Sequence, residues 1–115
     1  MFGLAYIHSD LGGFAGGETF DPELYTRWLQ YGAFQPVYRP HAQDHIAPEP
    51  VFHDHTTQNI TREYIKLRYR LLSYNYSLSI NNSLTDIPMM RPFLWTIQVN
   101  QLVEPMLIYG VMHFW

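Results

Sequence analysis

Apolar and polar positions along the chain fall into two similar blocks. Leu4 to Ile7 is a short apolar run that gives way to His8-Ser9-Asp10 and then to Gly12-Gly13, the pattern of a buried strand that ends by presenting polar groups on a loop. The glycines mark a tight turn, and Gly16-Gly17 continues that loop. Asp21-Pro22-Glu23 then supplies an N-cap, a proline at the first helical position and an acid in the first turn, so a helix is predicted from Pro22. Its apolar stripe is Leu24, Trp28 and Tyr31, with Tyr25 and Leu29 alongside, and Gly32 falls where a glycine would stop it.

The second block repeats the order. Phe34 to Tyr38 is short, apolar and aromatic and runs into Arg39-Pro40-His41, which reads as a second strand ending in a polar loop, with Pro36 lowering its regularity. From Pro40 to Asn59 no period of 2 or 3.6 is sustained, so a long loop is predicted, and long loops in compact domains are usually functional. Thr61 is the predicted cap of the best helix, in which Tyr64, Leu67, Leu71, Tyr74 and Leu78 make one stripe and Ile65, Tyr69, Leu72 and Tyr76 an adjoining one. Only Lys66, Arg70, Ser73 and Ser77 form a polar strip, so this helix needs neighbours on both sides. Asn81-Asn82-Ser83 is the expected end. A turn over Pro88-Met89-Met90-Arg91-Pro92 and a strand over Phe93 to Val99 follow, and the tail from Leu102 is apolar without a clear phase. Strand, loop and helix twice in a row is the alternation of a parallel βα architecture, yet two such units cannot close a barrel or cover a sheet.

Composition narrows the partners. The 115 residues are 47% apolar and 17% aromatic with eight Pro and seven Gly, which points to a loop-rich, concave surface of one small domain or of a piece of a larger one. Seven Lys and Arg against ten Asp and Glu leave a charge of −3, so no basic field favours nucleic acid. The absence of Cys excludes disulfide and thiolate chemistry. No apolar run reaches the roughly 20 residues of a membrane span, so no membrane partner is expected. Met1 to His8 has neither the basic region nor the cleavage site of a signal peptide, and both ends of the chain read as interior cuts. Nothing in these residues assigns a compartment.

Chemistry is expected where parallel strands end, because the loops after them crowd onto one face. Those ends carry Asp10 and His41, which can act as acid and base, as ligands or as hydrogen-bond partners of a polar substrate. The plainer reading is an Asp capping its own loop and a His bonding a nearby carbonyl. His41, Asp44, His45, His53, Asp54 and His55 are a candidate metal cluster, but their spacing matches no helix-borne metal motif, and a solvated polar loop is the preferred reading. The sequons at Asn59, Asn75 and Asn81 read as coincidental, two of them lying in or at the end of a packed helix. The glycine pairs do not make a phosphate cradle, since no Lys follows and the Asp10 carboxylate would repel phosphate. Glycines beside Asp10, Phe14, Arg39 and His41 instead suit a neutral polyhydroxylated ligand, with polar groups bonding hydroxyls and aromatics covering apolar sugar faces. For Trp28 and the tyrosines of the long helix, ordinary core is the preferred role.

Several segments together carry a family resemblance. His8-Ser9-Asp10-Leu11-Gly12-Gly13-Phe14, the run from Glu23 to Phe34, Tyr38-Arg39-Pro40-His41, Glu49-Pro50, the run from Leu67 to Tyr76 and Pro88-Met89-Met90-Arg91-Pro92 resemble, in order and spacing, the late catalytic-barrel region of glycoside hydrolase family 31. The likeness covers Leu4 to Pro92 and then fades, and Ser73 stands where the family usually has a proline.

The resemblance implies an α/β fold: a partial (β/α)8 TIM barrel, the last two βα units, over residues 1–92, followed by the start of a β-sandwich domain over residues 93–115. It implies an α-glucosidase, α-xylosidase or α-transglucosylase that hydrolyses or transfers terminal α-linked glucosyl residues by a retaining double displacement. By that similarity Asp10, Phe14, Arg39 and His41 bind substrate in the −1 subsite: His41 bonds sugar hydroxyls and Arg39 braces the loop. The nucleophile and the acid/base belong to earlier strands, so none of these four is catalytic and the chain alone is expected to be inactive. The implied partners are an α-glucan or oligosaccharide and the remainder of its own barrel; no cofactor and no metal are implied. Two other classes stand beside this reading, a non-catalytic carbohydrate-binding or interaction module that folds alone and a metal-dependent enzyme using the His and Asp loop.

Overall fold

The computed structural model describes residues 4–14 and 19–91. Their elements are α1 (Pro22–Gly32), a short 3-10 helix (Pro50–Phe52), α2 (His55–Arg70) and α3 (Leu72–Thr85). The N-terminus of α1 is built as its sequence predicts. Asp21 sits in extended backbone and its carboxylate accepts from the Glu23 and Leu24 N–H groups at 3.0 Å, while Pro22 occupies a position whose missing N–H costs nothing. The inward face is rotated from the expected stripe: Tyr25, Thr26, Leu29 and Gly32 are buried, whereas Leu24 and Tyr31 are exposed. Small Thr26 and Gly32 let neighbouring elements approach, which a count of large apolar residues does not register.

Gly32 does not stop the helix through a left-handed turn, since the cap is Ala33 in right-handed helical backbone. Its role is close approach: a Cβ at Gly32 would lie 2.1 Å from Leu11 Cδ1. Leu11, Tyr25 and Leu29 form the buried cluster, with Phe20, Trp28 and Tyr38 packed around it.

Two expectations change in the middle of the chain. The strand expected over Phe34 to Tyr38 is a turn, in which Phe34 and Gln35 N–H groups bond back to Tyr31 and Gly32 carbonyls at 3.1 and 3.0 Å. The helix expected to be capped by Thr61 starts at His55 under Asp54, whose carboxylate accepts from the Thr56 and Thr57 N–H groups and from Thr57 Oγ1. Thr61 lies fully buried inside α2, its hydroxyl donating to the Thr57 carbonyl at 2.7 Å. Thr57 and Thr61, one turn apart, are the buried residues of α2, so its N-terminal half carries no apolar period to read.

The long helical stretch is interrupted at Leu71 (φ −86°, ψ 0°), whose N–H is shared between the Leu67 and Arg68 carbonyls. Tyr64, Leu67, Leu71, Tyr74 and Leu78 are half-buried as one stripe, but Tyr69, Leu72 and Tyr76 of the adjoining stripe face solvent. The end of α3 falls after Thr85, with Asp86 in the left-handed region (φ 59°) that Asp tolerates better than bulkier residues, beyond the expected stop at Asn81 to Ser83.

Among the described residues the β structure is one parallel bridge, Leu11 opposite Pro40. The Leu11 N–H bonds the Arg39 carbonyl at 3.4 Å and the His41 N–H bonds the Leu11 carbonyl at 3.0 Å. In a parallel ladder the residue opposite contributes no bond of its own, so the missing N–H of Pro40 is harmless here. Leu4 to Ile7 is without regular structure, and with only this pair of strand ends to bond, neither expected strand acquires a ladder. The turn expected from Pro88 reaches the described residues only as far as Arg91. The strand expected over Phe93 to Val99 and the domain expected over residues 93–115 lie outside them.

Candidate functional site

The parallel bridge brings together two segments some thirty residues apart. Asp10 immediately precedes Leu11, and Arg39 and His41 flank Pro40 on the other side. Arg39 Nη2 donates to Asp10 Oδ1 at 2.7 Å, an ion pair whose carboxylate side chain is 33% exposed. Gly12 and Gly13 turn the chain away at φ 102° and 103°, backbone that side-chain-bearing residues rarely adopt. That turn carries Phe14 back over His41, the rings stacked at 4.8 Å with an 18° tilt. Gly12 is also pressed against the core, since a Cβ there would meet the Tyr25 ring at 2.8 Å. All four predicted site residues, Asp10, Phe14, Arg39 and His41, are therefore gathered at one edge.

Their side chains bring hydrogen-bonding groups and an aromatic face together. Arg39 occupies Asp10 Oδ1 and leaves Oδ2 able to accept a hydroxyl; the His41 ring offers a donor and an acceptor; Phe14 presents an aromatic face that is 49% exposed. The metal reading takes a different turn. His53 Nε2 faces the Ala47 carbonyl at 2.8 Å and its ring stacks on Phe20 at 4.2 Å, while Asp54 caps α2, so these two candidate ligands are engaged elsewhere. Among the described residues no three His, Asp or Glu side chains gather within reach of one ion.

Two polar residues beneath the site were given no role on the sequence. Gln35, 3% exposed, accepts from the Ser9 N–H at 3.1 Å through its side-chain oxygen. Arg68 of α2 spreads its guanidinium over the carbonyls of Ala33 (3.2 Å), Gln35 and Pro36 (2.8 Å). The signal for both was available: Gln35 is a polar residue inside an apolar run, and Arg68 lies off the polar strip of its helix. Burial holds the Arg68 guanidinium below its ordinary pKa. Burial likewise pushes the Tyr38 phenol up to about 12 and Tyr25 higher still, helped for Tyr25 by Tyr38 and Glu49 nearby. Neither phenol is a base at neutral pH; Tyr25 donates to the Pro48 carbonyl at 2.7 Å and pins the loop after His41.

Residues 1–78 match the TIM-barrel domain of glycosyl hydrolases family 31. The chain belongs to this family. Among its family 31 relatives, neutral alpha-glucosidase AB of Dictyostelium discoideum is 43% identical over 96 residues, which are 83% of this chain and 10% of that protein. Neutral alpha-glucosidase C of Mus musculus is 43% identical over 95 residues, 81% of this chain and 10% of that protein. Alpha-glucosidase 2 of Bacillus thermoamyloliquefaciens is 38% identical over 96 residues, 83% of this chain and 12% of that protein. The chain thus spans about a tenth of the length of the curated relatives it matches.

Proposed function

We propose that this chain is the late part of a family 31 catalytic barrel, its last two βα units, and that it supplies sugar-binding side chains of the −1 subsite of a retaining α-glucosidase. The observation that carries this reading is the convergence of Asp10, Phe14, Arg39 and His41 around the Leu11–Pro40 bridge. The relatives are named alpha-glucosidases, which favours α-linked glucosyl residues of an α-glucan or oligosaccharide as substrate.

In this reading Arg39 orients the Asp10 carboxylate so that Oδ2 accepts a sugar hydroxyl, His41 bonds another, and Phe14 both holds the imidazole and covers an apolar sugar face. Retaining glycosidases place their nucleophile and acid/base carboxylates about 5–5.5 Å apart on opposite sides of the scissile bond. Asp10 is neither of these. It is already paired with Arg39, and the catalytic pair comes from the remainder of the barrel. The exposed apolar side of α2 and α3, with Tyr69 and Tyr76 each 69% exposed, agrees with a partner that is the rest of the barrel.

The test is turnover of a terminal α-glucoside by the complete barrel carrying this chain, with Asp10→Ala and His41→Ala variants. A hydrogen bond to a charged group is worth about 1.5–3 kcal/mol, so Asp10→Ala should lower kcat/KM roughly 10- to 100-fold. Wild-type kcat/KM in both variants overturns the site assignment, and turnover by the 115 residues alone overturns the absence of the catalytic pair from this chain.

A further inference from the structure

We propose that Arg68 and Gln35 form a brace that sets the spacing between the two halves of the sugar site, Ser9–Leu11 and Arg39–His41, and are positioning residues for it. The inference rests on the sugar-site reading for its functional consequence, but its geometry is independent of it.

One half of the site follows a segment without regular structure and the other follows a turn, and they are joined directly by the two hydrogen bonds of one bridge and by the Arg39–Asp10 ion pair. Contacts this few make the separation of Asp10 and His41 sensitive to whatever holds the turn from which Arg39 and His41 follow. Arg68 holds it, because a planar guanidinium on α2 donates to three carbonyls, Ala33, Gln35 and Pro36, that leave α1 in succession. Those carbonyls follow the last turn of α1 and have no helical partners, and burial of Ala33 and Gln35 denies them much of the water that would otherwise serve. The backbone of Gln35 is thereby fixed, and its side chain reaches across to the Ser9 N–H at 3.1 Å, one residue before Asp10. Three and five residues after Pro36 stand Arg39, bonded to Asp10, and His41, bonded to Leu11. The hydrogen-bonded path from Arg68 to either half of the site therefore runs through one buried glutamine and the turn it belongs to, beside the packing of Leu11 on α1.

A lysine cannot reproduce the brace. Its single ammonium has the charge but not the flat fork that meets three carbonyls spread along a turn. Neither Arg68 nor Gln35 touches Asp10 or His41 with its side chain in the contacts observed, so any effect on sugar must pass through backbone placement.

The first test is amide hydrogen exchange in the 115-residue chain. Arg68→Ala should speed exchange of the Ser9, Leu11 and His41 amides by about tenfold or more while the mid-helix amides of α1 keep their protection. Gln35→Met should release Ser9 most strongly. Arg68→Lys should resemble Arg68→Ala at these amides and takes its place if the alanine variant does not fold. Unchanged exchange at Ser9 and His41, or an equal acceleration at every amide, overturns the brace.

The second test is kinetic, in the complete barrel. A displacement near 1 Å can cost about 10²-fold, and Arg68→Ala should approach that loss in kcat/KM alone but cost less than about threefold when His41 is already Ala. Equal losses in both backgrounds identify a merely stabilising arginine and overturn the positioning role. Wild-type turnover of both Asp10→Ala and His41→Ala would instead overturn the sugar-site reading, leaving the exchange result to decide the brace by itself.

Discussion

Gly32→Ala is the most informative perturbation of this fold, because helix propensity and packing predict opposite signs. Alanine is favoured over glycine within a helix by up to about 1 kcal/mol, so α1 considered alone should gain. Against that, the new Cβ would sit 2.1 Å from Leu11 Cδ1 and 2.8 Å from Leu11 Cδ2. Ordinary carbon contacts lie near 3.5 Å, so Leu11 must retreat by roughly 1.4 Å. It has nowhere to go: Leu11 and Tyr25 are 0% exposed and Leu29 is 1% exposed. Overpacking costs about 1–3 kcal/mol, and an approach of 2.1 Å puts this site in the upper part of that range, about 2–3 kcal/mol, which leaves a net destabilisation of about 1–2 kcal/mol after the helical gain. Urea denaturation followed by far-ultraviolet circular dichroism measures it. Leu11→Ala alone should cost about 2–5 kcal/mol through the void it leaves, but in the Gly32→Ala background part of that void is filled by the new methyl. The double variant should then be more stable than the sum of the single losses by about 1 kcal/mol or more. A Gly32→Ala chain as stable as the parent, or strict additivity with Leu11→Ala, would refute the claim that Gly32 is kept for the approach of Leu11.

Two further outcomes follow from local geometry. Gly12 and Gly13 share a φ near 102–103°, but only a Cβ at Gly12 meets the Tyr25 ring, so Gly12→Ala should destabilise by at least about 1 kcal/mol more than Gly13→Ala in the same denaturation assay. Equal losses would mean that backbone strain alone matters at this turn. The Asp54 carboxyl is held below its usual pKa first by the Thr57 hydroxyl and then by backbone N–H groups. Its contribution to α2 is therefore present above the ordinary carboxyl range and is lost as pH falls through the lowered value. Helical circular dichroism on acid titration should fall less in Asp54→Asn, which keeps a cap without the titration, and an unchanged acid profile would remove Asp54 from this account.

What could be read from the residues divides along the range of the interactions. The N-terminus of α1 is legible because Asp21, Pro22 and Glu23 act on backbone within one turn of themselves. The cap of α2 lies seven residues before the expected Thr61, because Asp54 does the same work among His and Thr residues, with no apolar period behind it to mark a helix. The two expected strands depend on hydrogen bonds from distant neighbours, and the described residues contain one pair of strand ends to satisfy them. Phe34 to Tyr38 accordingly closes into a turn on the end of α1 instead of extending.

Asp10, Phe14, Arg39 and His41 nevertheless lie together in the structure, and the reason is physical. Asp10 and His41 were placed by their position after apolar runs, and their meeting requires only that the two runs end side by side, not that either forms a regular strand. One parallel bridge suffices for that. Arg68 and Gln35 escaped because their partners are main-chain carbonyls and an amide N–H, groups every residue carries, so no side-chain pattern announces them. A cluster of side chains built on two loops can thus be legible in its members and silent about what spaces them. In this chain the spacing belongs to an arginine on the neighbouring helix and to the single buried glutamine of the turn it holds.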